Sequence, residues 1–106
     1  MREERLLSYL KGACSGRKRR VSSAELERVL NISGTELRKL VNRLRRKGVP
    51  IASDRQGYFY AATAGEVYST IRQLRQMASG LEKAIAGLES SLENFGEASG
   101  SGGDVH

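Results

Sequence analysis

Thr35, Arg38, Lys39 and Asn42 recur at steps of three, one and three inside the stretch "GTELRKLVNRLRRKG", residues 34–48. On a helix advancing about 100° per residue, Thr35, Lys39, Asn42 and Arg46 fall within roughly 40° of one direction, and Arg38 and Arg43 flank them. The stretch holds six Lys or Arg residues and one carboxylate, Glu36. A solvated helix face ordinarily mixes signs, with Glu set against Lys four residues on. This face has no carboxylate among its six polar members, so the cations repel one another unless an anion is present. A guanidinium can grip guanine through two bonds, and a carboxamide can do the same for adenine. The chemistry on offer is donation to an anionic, acceptor-rich surface, duplex DNA before others. The competing reading is a charged face that meets only water.

The pattern excludes other chemistry. Cys14 is the only cysteine and His106 the only histidine, so neither an internal disulfide nor a Cys/His zinc cluster is expected. Arg17 and Lys18 can lower the Cys14 pKa, but the simpler expectation is an incidental thiol in a reducing cytoplasm. No nucleophile–base pair and no phosphate-binding glycine loop is present, so no enzyme, cofactor or small-molecule ligand is expected. "MREERLLSYL" starts with charge and never becomes a sustained apolar run, which predicts neither signal peptide nor membrane span.

The 106 residues carry a net charge of +6, distributed unevenly. Residues 1–63 hold 15 Lys or Arg against 6 Asp or Glu, and residues 64–106 hold 3 against 6. A basic head on an acidic support suits a polyanion partner.

Elements must position these groups. "REERLLSYLKG" reads as a helix with Leu6, Leu7 and Leu10 on one face and a stop at Gly12. "SGRKRR" is a basic connector, and "RVS" is a candidate short strand. Three helix starts then repeat one device: Ser22 with Glu25, Ser33 with Glu36 and Thr63 with Glu66, each the spacing of a capping box. The second helix is expected over about 23–30, with Leu26, Val29 and Leu30 inward. "NISG" is a tight turn. The third helix is expected over about 34–47, with Leu37, Leu40, Val41 and Leu44 inward and Gly48 just past its end. Ile51 and Ala52 can pair with residues around 58–60 in a hairpin, with Pro50 at the strand start. Tyr58, Phe59 and Tyr60 read as hairpin packing before base stacking.

From Thr63 a heptad seam runs through Val67, Ile71, Leu74, Ala78, Leu81, Ile85, Leu88, Leu92 and Phe95. Alternate steps of four and three over about four heptads are the spacing of a coiled coil. Met77 and Ala84 widen the stripe. The distal part has nothing in its own chain to bury it, which predicts a homodimer through Ile71, Leu74, Ala78, Leu81, Ile85, Leu88, Leu92 and Phe95, of open strand orientation. "GEASGSGGDVH" reads as a flexible tail. The expected organisation is 1–62 as head, 63–95 as dimerisation helix and 96–106 as tail. The fold class is mainly α with a small β-hairpin.

The order helix, short strand, helix, turn, helix, hairpin is that of a winged helix-turn-helix. "SSAELERVLNISGTELRKLVNRLRRKGVPIASDRQGYFYA" resembles the amino-terminal DNA-binding domain of biotin repressors and related winged-helix regulators. The resemblance covers roughly residues 2–62. It lies in the Leu-Asn-Ile-Ser turn at Leu30 to Ser33, the "LR" at Leu44 and Arg45, "GVPI" at Gly48 to Ile51 and "GYFY" at Gly57 to Tyr60. In the biotin repressors a ligase domain follows; here a helix and a tail follow, so biotin chemistry is not implied. The chain is also similar to small phage and prophage helix-turn-helix proteins. In a helix-turn-helix the start of the second of the paired helices enters the major groove. That assigns base edges to Thr35, Arg38, Lys39 and Asn42. It assigns phosphates to Arg43, Arg46 and Lys47, and to the connector run Arg17, Lys18, Arg19 and Arg20. Arg55 and Gln56 form the tip of the wing, for a minor groove or adjacent phosphates. The function expected is transcriptional regulation. Its rivals are a phage-type replication or packaging initiator and a protein-interaction adaptor built on the heptad helix.

Overall fold

A computed structural model describes residues 2–95; the tail expected over 96–106 lies outside the described residues. The fold is mainly α with a small β-hairpin and a long C-terminal helix. The chain divides into two compact units between Ile71 and Arg72.

The first unit contains α1 (Arg2–Ala13), α2 (Ser23–Leu30), α3 (Gly34–Arg46), β1 (Ile51–Asp54), β2 (Gly57–Tyr60) and the opening turns of α4 (Ala64–Ser91). Helix α1 runs past Gly12, the expected stop, and closes with Cys14 N–H donating to the Leu10 carbonyl at 3.0 Å. Leu6 and Leu10 are fully buried in one core cluster with Leu26, Leu37 and Val41, and Phe59 of the hairpin is also fully buried. The stripe of α3 is inward as its period requires: Leu37, Leu40, Val41 and Leu44 are all buried. Val29, expected inward on α2, is instead exposed. Leu26 and Leu30, four apart, already fill the narrow strip that an eight-residue helix offers the core, and Val29 is left at its rim beside Arg5 and Tyr9.

The three caps differ in detail. Ser33 and Glu36 form the full reciprocal box. Ser22 accepts from Glu25 N–H at 3.1 Å, but the Glu25 carboxylate turns to Arg28. Thr63 accepts from Glu66 N–H at 3.2 Å, while the Glu66 carboxylate accepts from Ala62 N–H at 2.7 Å and Arg17 N–H at 3.1 Å. Glu66 thereby ties the basic connector to the start of α4.

The turn between α2 and α3 is short because Asn31 takes the left-handed conformation, φ 57°. Ile32 N–H then reaches the Glu27 carbonyl at 3.0 Å and Asn31 N–H the Arg28 carbonyl at 3.3 Å, a Schellman closure with Ile32 buried beneath it.

The hairpin is antiparallel, with Ile51 opposite Tyr60 and Asp54 opposite Gly57. The strand expected at "RVS" is only a one-residue bridge: Val21 and Tyr58 exchange two backbone bonds of 2.8 Å. Gly57 makes this possible, since a Cβ there would lie 2.1 Å from the Val21 carbonyl oxygen. Thr70 docks the start of α4 on β1: its Oγ1 accepts from Ser53 N–H at 3.1 Å and donates to the Glu66 carbonyl at 3.1 Å.

In the second unit, α4 continues to Ser91, and Leu92–Phe95 form a 3-10 turn. The last two seam positions, Leu92 and Phe95, therefore leave the α-helical period. Leu81, Ile85 and Leu88 are exposed, at 67%, 54% and 69%.

Candidate nucleic-acid interface

Helix α3 separates its two kinds of residue cleanly. With the leucine stripe buried, Thr35, Arg38, Lys39, Asn42 and Arg46 are all exposed. None of the ion pairs among the described residues involves Arg38, Lys39 or Arg46. Glu36, the one carboxylate of the helix, is already occupied as capping residue and as partner of Arg2 at 2.8 Å.

The C-terminal half of α3 departs from the expectation of an unpaired cationic end. Arg43 and Lys47 both donate to Glu3 of α1, each at 2.9 Å. Those bonds, Lys47 first and Arg43 second, hold the Glu3 carboxyl below its ordinary pKa. Two of the six cations of this stretch thus have a carboxylate at hand, brought from forty residues upstream. A third, Arg45, turns away from the face altogether. Its Nε donates to the Ile51 carbonyl at 2.8 Å and an Nη to Ser53 Oγ at 3.2 Å. Burial lowers its pKa, and it acts as a brace between α3 and β1. Its position four residues after inward Val41 was the signal for this.

Between the start of α1 and α3 lies a groove of about 730 Å³, lined by Arg2, Glu3, Glu4, Glu36, Lys39, Leu40 and Arg43. Its walls alternate in sign, so acidic groups from α1 border the cationic face of α3.

The connector run also divides. Lys18 and Arg19 are exposed on a 3-10 turn, Arg17–Arg19. Arg20 and Arg17 point to Asp54 at 3.5 and 3.9 Å, and the Arg17 guanidinium lies 5.6 Å from the centre of the Phe59 ring. Asp54 does more. Its Oδ1 accepts from Gln56 N–H at 2.9 Å and Gly57 N–H at 3.1 Å, which fixes the hairpin turn. Arg55 and Gln56 are exposed at the tip of that turn. One carboxylate therefore shapes the turn and gathers two connector arginines at its base. Sequence periodicity carried no sign of either Glu3 or Asp54 as an internal partner.

Cys14 is buried, and desolvation, followed by the Glu25 charge, pushes its thiol pKa up. The shift is opposite to the lowering that Arg17 and Lys18 could have produced. Among the described residues no group of three or more His, Cys, Asp or Glu could hold a metal ion, and no helix is long and apolar enough to cross a membrane.

Comparison of the chain with protein-family models, curated proteins and solved structures finds no match.

Proposed function

We propose that this protein binds double-stranded DNA sequence-specifically as a homodimer, through a winged helix-turn-helix head, and acts as a transcriptional regulator in the cytoplasm. The observation that carries this reading is the face of α3: Thr35, Arg38, Lys39, Asn42 and Arg46 exposed together, with the helix's own carboxylate engaged elsewhere. Arg38, Lys39 and Asn42 supply base-edge donors, and Arg46 a phosphate contact. The hairpin that follows α3 supplies the wing, with Arg55 and Gln56 at its tip. Lys18 and Arg19 extend the cationic surface. The exposed seam of α4 supports dimerisation, and two heads suit a two-fold related site.

Titration of a labelled random duplex at rising salt tests the electrostatic part. Released counterions drive such binding, so affinity should fall steeply between low and physiological salt. Affinity that stays level across that range contradicts it. The exposed seam also supports a second reading, an adaptor whose α4 recruits another protein. Competition by random duplex DNA at physiological salt separates the two, because an adaptor's partner is not displaced.

A further inference from the structure

The charges of α4 are not distributed as a parallel coiled coil needs. In the heptad frame set by the seam, Leu74, Leu81 and Leu88 occupy d, and Ala78 and Ile85 occupy a. Arg75, Glu82 and Glu89 then fall at e, while Met77 and Ala84 fall at g. In a parallel pair each g residue faces the e residue five positions on in the other chain. Met77 would face Glu82 and Ala84 would face Glu89, so both flanking glutamates would meet apolar side chains.

An antiparallel pair sorts the same residues by kind, because e then faces e and g faces g. One alignment sets Leu74 against the other copy's Ile85 and Ala78 against its Leu81. Arg75 then lies beside the second copy's Glu82, and the symmetry axis repeats the contact. On the opposite flank Met77 meets Ala84, which closes the apolar stripe. Sliding the pair by one heptad either way brings Arg75 against Arg75 or Glu82 against Glu82, a like-charge penalty.

We infer that the partner of this surface is a second copy of the chain, docked antiparallel, with reciprocal Arg75–Glu82 pairs flanking a core centred on Ala78 and Leu81. The inference rests on the homodimer reading above and adds orientation and register to it. The exposure of Leu81, Ile85 and Leu88 in the single chain leaves the required surface open.

Cysteine pairing reads the orientation. Leu74→Cys and Ile85→Cys are made separately in full-length chain carrying Cys14→Ala, then mixed in a thiol redox buffer. The antiparallel register predicts a disulfide only in the mixture, since each cysteine alone lies about 16 Å along the axis from its own copy. Disulfides within each separate variant overturn the orientation and leave the dimer standing. A wild-type chain that sediments as a monomer overturns the dimer itself. A charge exchange keeps Cys14 in place: Arg75→Glu should weaken dimerisation about tenfold, and adding Glu82→Arg should restore it. Loss without restoration contradicts the register.

Discussion

The Glu3 carboxylate of α1 accepts a 2.9 Å bond from the Arg43 guanidinium of α3, forty residues along the chain. Lys47 shares the same carboxylate. A phosphate that takes either cation must displace Glu3 or share with it. Glu3→Gln removes the competing charge. It should tighten binding of a random duplex by roughly two- to fivefold, the range of exposed ion pairs. Fluorescence anisotropy at fixed salt checks this, and unchanged or weakened binding removes Arg43 and Lys47 from the phosphate contacts.

The contact of Gly57 with Val21 is a packing constraint. A Cβ at Gly57 would sit 2.1 Å from the Val21 carbonyl oxygen, and that backbone has no side-chain freedom with which to yield. Gly57→Ala should cost about 1–3 kcal/mol, in the manner of an overpacked core. Thermal unfolding should then start from a midpoint lower by at least about 5 °C. An unshifted midpoint means that the Val21–Tyr58 bridge is dispensable.

Acid should loosen the junction between the connector and α4. Glu66 is held below its ordinary pKa by the amides of Ala62 and then Arg17. A carboxyl depressed in the folded state stabilises that state above the unfolded pKa, about 4.3, and the contribution is lost as pH falls through the folded value. Stability should therefore decline below about pH 4.3. The decline should be shallower in Glu66→Gln, whose carboxamide cannot ionise. Chemical denaturation at stepped pH measures both, and parallel curves for wild type and variant contradict the role given to Glu66.

Base and phosphate contacts separate by specificity. Lys18→Ala and Arg19→Ala should weaken all duplexes alike and each reduce the salt slope by about 1. Asn42→Ala should change which sequences are preferred, at a cost of about 1–3 kcal/mol on the best site and little on random DNA. Binding curves on matched and scrambled duplexes distinguish them. Uniform loss in Asn42→Ala would reassign that residue to the backbone.

What the sequence revealed was local. Ser33 with Glu36, the leucines of α3, Gly48 at φ 92° and the pairing of Ile51 with Tyr60 all depend on neighbours within one helix or one hairpin. Their spacing is sufficient to find them. What was not legible depends on distant partners or on the width of the core. Arg45 had no expected role beyond the count of cations, and it bonds β1 because it flanks the inward stripe. Arg43 and Lys47 looked unpaired because no periodicity links them to Glu3. Arg17 and Arg20 were expected to face phosphates, and no local spacing showed that the hairpin brings Asp54 to them. Val29 matched the helical period but lay beyond the width of core that α2 can reach. The exposure of Thr35, Arg38, Lys39 and Asn42 was legible, since exposure opposite a buried stripe follows from helix geometry alone.

Selection of bound fragments from a pool of random duplex DNA, with wild-type protein at physiological salt, tests the central claim most directly. The proposed function predicts enrichment of a defined motif with two-fold related halves, weakened by Asn42→Ala. Recovery of the unselected pool composition after repeated rounds contradicts it.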